Sequence, residues 1–432
     1  MQRQTKSIKI EHPDQLKLQL LEWSKQFKQV FWLDSNDYEQ DSYSQFDALL
    51  AVDASRTLSV SYTDAFAKLE AFQKEVDDWI FGYLSYDLKN TIENLESNNL
   101  DELAFPDLYF FQPQKIIILK GDRLELLYTK SVAKSFNEDL QDILAIKSSD
   151  NRPKVTPKRI KLRLNKDAYK KKVRELLYHI NRGDIYEANF CQEFYALGAL
   201  DPWYTFKQLN TISQPPFATF LRLEDNYLCS ASPERFLCRR GNKLITQPIK
   251  GTAPRGKDNV ADAAFKKALT SDPKERAENI MIVDLVRNDL SRVAQKGSVT
   301  VTELCRVYPF KQVHQMISTV SATVKTSIDI AQLLEATFPM GSMTGAPKIR
   351  AMQLIEELEV NKRGLYSGAV GYIKPDGDFD FNVVIRSILY NDKKKYSSYM
   401  VGSAITANSN PNKEYGECLL KAKAMREVLE SD

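Results

Sequence analysis

The sequence predicts a globular protein that mixes helices and strands along its whole length, and three observations carry that expectation. Its 432 residues are 43% hydrophobic and 27% charged, the proportions of a chain with a sizeable buried core. "KIIILKGDRLELLYTK" (115–130) sets two apolar runs around Gly121-Asp122, a turn pair that favours a tight hairpin. "NKDAYKKKVRELLYHINRGD" (165–184) instead repeats its apolar residues at helical spacing. Asn165 is placed to cap that helix, Val173, Leu176, Leu177 and Ile180 form one stripe, and Gly183 stops it.

In chain order, the N-terminal third alternates strand-like runs with polar stretches and holds little that reads as a site. "SSDNRPKVTPKR" (148–159) is polar, basic and proline-containing, the best linker in the sequence. It divides an N-terminal subdomain, 1–150, from a larger part, 151–432, that carries nearly all the chemistry. With 60 basic and 57 acidic residues the net charge is +3, so no broad field attracts nucleic acid or an anionic membrane. Five scattered cysteines without a C-x-x-C pair point to reduced thiols in a cytoplasm. Three histidines are too few for a histidine-rich zinc site. The N-terminus lacks the apolar core of a signal peptide, and no run approaches the roughly 18 apolar residues of a membrane span.

Two predicted helices carry paired carboxylates. "SDPKERAENIMIVDLVRNDLSRVA" (271–294) opens with Asp272 as N-cap and Pro273 at the first helical position, and puts Glu275 and Glu278 on one face. "NSNPNKEYGECLLKAKAM" (408–425) starts the same way at Pro411, with Glu414, Glu417 and Lys421 sharing a face. Four carboxylates brought together would suit Mg²⁺, which takes one or two directly and keeps waters. Read alone, Glu275 is equally a capping-box residue and Glu417–Lys421 an ordinary surface pair.

"FPMGSMTGAPKIRAMQLIEELE" (338–359) joins a small-residue loop to a helix with Ile349, Met352, Ile355 and Leu358 as its buried stripe. Backbone N–H groups at such a junction suit an anion or simply cap the helix. The G-x-x-x-G-x-x-K spacing of Gly341, Gly345 and Lys348 does not match a nucleotide-binding P-loop. "VGSAITANS" (401–409) offers a second loop of small residues. "QPIKGTAPRG" (247–256) frames Lys250 between Pro248 and Gly251, either a solvated lysine at a strand end or one presented to a ligand.

Together with "RGLYSGAVGY" and "FNVVIRS", these stretches resemble, in one collinear order over roughly residues 160–427, the chorismate-utilising enzymes. These are the large subunits of anthranilate and aminodeoxychorismate synthases, with isochorismate and salicylate synthases as relatives. The N-terminal third is similar more loosely, through "FWLDS" and "WIFGYLSYDL". The resemblance implies an α+β fold: a large sandwich of two facing antiparallel β-sheets covered by helices, the N-terminal third supplying part of it and, in relatives, a tryptophan pocket.

The resemblance also implies roles. Chorismate's ring carboxylate would sit on Mg²⁺, with Glu278 and Glu417 as direct ligands and Glu275 and Glu414 holding metal waters. Thr252, the segment Gly402-Ser403-Ala404 and Lys421 would bind that carboxylate, and Tyr366 and Arg386 the enolpyruvyl carboxylate. Glu234, in "SASPERF", stands where the family places the general acid for the departing C4 hydroxyl, so its pKa is expected to be raised. His314 matches an active-site histidine near that leaving group.

The family motif resembles P-I-A-G-T in anthranilate synthases and P-I-K-G-T in aminodeoxychorismate synthases. This chain has Pro248-Ile249-Lys250-Gly251-Thr252. The lysine form implies covalent attack on ring C2, entry of ammonia at C4 and retention of the enolpyruvyl group. The attacking lysine must be neutral, and desolvation and a nearby metal are expected to lower its pKa.

Glu187, in "GDIYEANFCQEF", departs from the family: amine-transferring relatives usually carry glutamine there, and the water-using relatives a lysine. No cysteine sits in a glutaminase setting, so ammonia is expected from a separate glutamine amidotransferase subunit. The rival expectations are anthranilate synthase, against which Lys250 argues, and a non-catalytic chorismate- or tryptophan-binding regulator, against which the intact set of site residues argues.

Overall fold

The computed structural model describes residues 3–147, 157–325 and 327–431. Most of the expected linker, 148–156, therefore lies outside the described residues. The expected hairpin forms: Leu108–Lys120 pairs antiparallel with Arg123–Tyr128, and Gly121 takes φ 56° between them. The expected helix runs Lys166–Arg182, its cap Asn165 accepting from the Ala168 N–H, and Gly183 at φ 87° ends it. Leu177 is only half-buried there, whereas Val173, Leu176 and Ile180 are buried.

Among the described residues every ladder between strands is antiparallel, so neighbouring strands need no crossover helix between them. One run of the ladder passes from Glu187–Leu197 through Tyr396–Thr406, Ser387–Asn391, Asn226–Ser232, Phe217–Leu223 and Gln29–Asp34 to Ala48–Val60. Ala48–Val60 pairs along its length with Leu108–Lys120, with a register shift between Ala54 and Arg56. Beyond the shift a second run continues through Ile80–Leu84, Ala369–Ile373, Phe379–Val383, Arg235–Arg240 and Lys243–Gln247 to Val313–Thr323.

The side-chain period of two shows that these runs face each other. Phe31, Leu33, Leu49 and Ala51 share a core with Val370, Tyr372, Phe379 and Phe381, which belong to strands they do not pair with. Their sequence neighbours Val30, Trp32, Leu50 and Val52 point the other way, into a second core under helices such as Pro13–Trp23, Lys166–Arg182 and Pro411–Glu430. The helices Ala65–Val76, Pro273–Ser291 and Ile330–Thr337 bury their apolar sides in the same cluster as that first core. This is the expected α+β sandwich, with each large apolar side chain that it buries contributing ~1.5–3 kcal/mol.

Two local expectations are overturned. "VGSAITANS" is strand, not loop, as far as Thr406, because Gly402, Ser403 and Ala404 lie opposite Cys191, Phe190 and Asn189. A Cβ on Gly402 would come within 2.5 Å of Cys191 Sγ, so the small residues reflect close strand packing. In the helix Lys348–Leu358, Ile349 is exposed; the buried side is Ala351, Met352, Leu354, Ile355 and Leu358.

Candidate active site

The lysine of "QPIKGTAPRG" is aimed by an irregular strand. Ile249–Pro254 pairs with Val313–Thr323, Ile249 opposite Ile317 and Thr252 opposite Gln315, so Lys250 and Gly251 face a single residue. Such a bulge turns a side chain out of the regular alternation. Gly251 takes φ +97°, and a Cβ there would lie 3.2 Å from both Glu275 Oε2 and Met316 Cβ, so glycine is required by conformation and by space. Lys250 lines a cavity of about 700 Å³, a volume suited to a small organic ligand.

Lys250 Nζ donates to Glu187 Oε1 at 2.7 Å, and both side chains are enclosed. Burial is the largest influence on this lysine and opposes its charge. Glu187, Glu278 and Glu234 together outweigh it and hold the pKa above the ordinary value. The expected lowering is thus not found in the protein alone, because three carboxylates surround the ammonium.

Glu234 lines the same cavity and is 4% exposed. Burial pushes its pKa up to about 7, against the opposing effects of the Ser342 hydroxyl, the Lys250 charge and the Ile249 backbone. That is the direction expected of a general acid. Ser342 Oγ donates to Glu234 Oε1 at 2.6 Å, a contact with no signal of its own in the sequence, although Ser342 lies in one of the stretches singled out there. That stretch braces the site. Gly345–Ala346 pairs with Glu187 and Ala188, and Lys348 Nζ donates to Asp289 Oδ2 at 2.6 Å and the Pro339 carbonyl at 2.9 Å.

Arg386 and Tyr366 line another wall. The guanidinium makes no hydrogen bond or ion pair among the described residues, and burial pushes its pKa down. A half-buried, unpaired fork of donors suits a carboxylate. Lys421 Nζ donates to the Gly402 carbonyl at 3.0 Å and sits 2.8 Å from Glu417 Oε1. Ser409 Oγ approaches the Ala404 carbonyl at 3.5 Å. Those carbonyls point away from the paired strand, so the N–H groups of Gly402 and Ala404 point the same way, into the cavity both residues line. Ser403 alternates to the opposite side: it is fully buried, does not line the cavity, and its hydroxyl neighbours Tyr169. Thr252 lies at the cavity wall as expected.

Glu275 and Glu278 on Pro273–Ser291 and Glu414 and Glu417 on Pro411–Glu430 all line the cavity. Asp272 caps the first helix and Asn410 the second, as the sequence predicts for Asp272. Among the described residues no three acidic, histidine or cysteine side chains converge closely enough to hold an ion by themselves. The chemistry of the set nevertheless fits Mg²⁺. Among the described residues Glu278 Oε1 is buried with no hydrogen-bond partner, and burial first, then Glu275 and Glu187, push that carboxyl up to about 7 against the pull of Lys274 and Lys250. Glu275 and Glu414 are raised by burial and by Glu417. Lys274 Nζ, 3.6 Å from Glu278 Oε1, is a residue missed in the sequence, and its charge acts on all four. Hard oxygens that repel one another and leave room for waters and an anionic ligand are what Mg²⁺ takes.

His314 is not brought to the cavity. Its Nε2 lies 2.9 Å from Asp262 Oδ1 and its side chain is 1% exposed. Strand alternation sends Val313 and Gln315 into the cavity and His314 to the other face. Gln315 thus lines the cavity where His314 does not, and among the described residues its Oε1 is buried and unpartnered. Beside Leu33, Asp34, Ser35 and Phe217 lies a small cavity of about 40 Å³, lined also by Arg235, whose guanidinium is bonded to Asp41, Asp380 and Gln247.

Comparison with known proteins matches residues 28–427 to the family described as chorismate binding enzyme. Aminodeoxychorismate synthase component 1 of Klebsiella aerogenes is 37% identical over 354 residues, covering 81% of this chain and 77% of its own. Anthranilate synthase component 1 of Thermus thermophilus is 33% identical over 360 residues, covering 81% and 77%. The crystal structure of anthranilate synthase component I from Streptococcus pneumoniae TIGR4 superposes with a TM-score of 0.79 at 26% identity, covering 88% of this chain and 91% of its own.

Proposed function

The chain belongs to the chorismate binding enzymes, and from that premise we propose that it acts as an aminodeoxychorismate synthase component 1, converting chorismate and ammonia to 4-amino-4-deoxychorismate. The observation that carries the reading is Lys250, presented by a bulge into the cavity with its charge felt by Glu234. Lys250 Nζ attacks ring C2, the ring double bonds shift, and the C4 hydroxyl departs as water with the proton of Glu234. Ammonia enters at C4, the double bonds shift back, and the lysine leaves. The enolpyruvyl group is retained, held by Arg386 and Tyr366. Thr252, Lys421 and the N–H groups of Gly402 and Ala404 bind the ring carboxylate.

Glu278 and Glu417 would hold Mg²⁺ directly, with Glu275 and Glu414 on its waters; the ion supplies charge that neutralises the ring carboxylate. Ammonia comes from a glutamine amidotransferase partner, as the name "component 1" of the relatives implies, and the product feeds 4-aminobenzoate and folate synthesis. Such work fits a cytoplasmic enzyme; among the described residues no helix is long and apolar enough to cross a membrane.

The test is to incubate the purified chain with chorismate, Mg²⁺ and ammonium at mildly alkaline pH, assay pyruvate and identify the ring product by mass. An aminated product without pyruvate is expected. Pyruvate with anthranilate would give the protein the activity of its anthranilate synthase relatives instead.

A further inference from the structure

The ion pair between Glu187 and Lys250 has no evident structural purpose. Glu187 is 0% exposed, Oε1 accepts from Lys250 Nζ at 2.7 Å, and among the described residues Oε2 is buried without a partner. A buried ion pair with half its carboxylate unsatisfied is a poor device for stability, since desolvation of both charges offsets their attraction. Its position is nevertheless fixed with care. Glu187 is clamped between Ala346 on one side and Thr406 on the other, and a Cβ on Gly345 would come within 2.1 Å of the Glu187 carbonyl. Lys250 reaches it from the other end of the ladder.

An attacking lysine must be neutral, yet Lys250 Nζ is ion-paired at 2.7 Å to the Glu187 carboxylate, which favours the ammonium. Among the described residues Glu187 is the carboxylate within hydrogen-bond distance of the Lys250 nitrogen. Resting on the reading above, we infer that Glu187 is the catalytic base that takes a proton from Lys250 Nζ as that nitrogen bonds to ring C2, and returns it when the C2–N bond breaks. The balance closes. The ammonium proton moves to Glu187, the freed nitrogen lone pair forms the C2–N bond, and the C4–O pair leaves on water with the proton of Glu234. When ammonia bonds to C4, the C2–N pair returns to Lys250, Glu187 gives its proton back, and the new ammonium at C4 reprotonates Glu234.

The two roles open to Glu187 predict opposite outcomes. A carboxylate that merely holds Lys250 charged impedes attack, so Glu187→Gln should then match or exceed the native rate. A base lost should slow it. With chorismate, Mg²⁺ and ammonium, the expected result for Glu187→Gln is a fall in kcat of about 10²–10⁴-fold with KM for chorismate within a few-fold. Glu187→Asp should recover part of the rate, and added formate should restore turnover to Glu187→Ala by occupying the space of the lost carboxylate. Native or faster turnover in Glu187→Gln overturns the inference. So does a loss that neither aspartate nor formate repairs. A failure of the premise looks different, because the native chain itself would then release pyruvate and anthranilate.

Discussion

The cavity has two unlike halves. Its floor has Lys250 on a strand and Glu234 in the short link between two strands, with the strand residue Glu187 enclosed beside Lys250, and each of these groups is bonded to a named neighbour. Its mouth, with Glu275, Glu278, Glu414 and Glu417, comes from two helices, and its carboxylates repel one another around the ammonium of Lys274, with Lys421 beside Glu417. The floor is set by backbone register and is ready before substrate arrives. The mouth is complementary to charge that has yet to come, and its order depends on what binds.

The sharpest way to break this contrast is at the floor. Lys250→Ala should abolish amination at C4, lowering the yield of 4-amino-4-deoxychorismate by about 10²-fold or more, any residual ring product being anthranilate with pyruvate. Product mass after incubation with ammonium reads this, and undiminished C4 amination would remove the lysine from the chemistry. Next, Glu234→Gln should cost about 10²–10⁴-fold in kcat. Glu234 must carry its proton when the hydroxyl leaves, and burial raises its pKa to about 7. At a constant concentration of free ammonia the native rate should therefore be level below that pH and fall about tenfold per unit above it, a limb absent from the variant. A native profile without that limb would show that another group supplies the proton.

Effects at the mouth should be smaller and should depend on the ion. Glu275→Gln or Glu414→Gln is expected to weaken Mg²⁺-supported chorismate binding by about 10–100-fold, a loss recovered at high Mg²⁺. Titrating Mg²⁺ against chorismate affinity checks this, and a loss that no Mg²⁺ concentration repairs would assign these groups to packing instead. Arg386→Lys should raise KM by about tenfold with kcat little changed, because the fork becomes a point charge. Equal falls in kcat and kcat/KM would place that contact in the transition state alone.

The same division governs what is legible in the sequence. Helix-borne groups are easy: the caps at Asp272 and Asn165 and the spacing of the glutamates determine which face each side chain takes. Lys250 is legible too, since the residues around it announce unusual backbone geometry. The strand-borne errors share one cause. A slip of a single residue turns a side chain to the other face, and that separates Gln315 from His314 and the N–H groups of Gly402 and Ala404 from Ser403. No local pattern in a strand buried on both faces says which residue points where. Nor does sequence give the neighbour across a cavity. Ser342 meets Glu234, and Glu187 meets Lys250, only because segments far apart in the chain converge there.

The ladder that doubles over between Ala48–Val60 and Leu108–Lys120 has a consequence for how the molecule is made. Ile80–Leu84 hydrogen-bonds to Leu108–Lys120 and to Ala369–Ile373, and Glu187–Leu197 to Tyr396–Thr406. On a ribosome, the early strands thus emerge long before the partners that complete their sheets. Contacts so distant in sequence fold slowly, and until the last strand and helix are released the nascent chain holds open apolar edges. Its period of dependence on chaperones should last almost as long as its synthesis, and no shortened chain ending before Tyr396 should be expected to assemble a working floor.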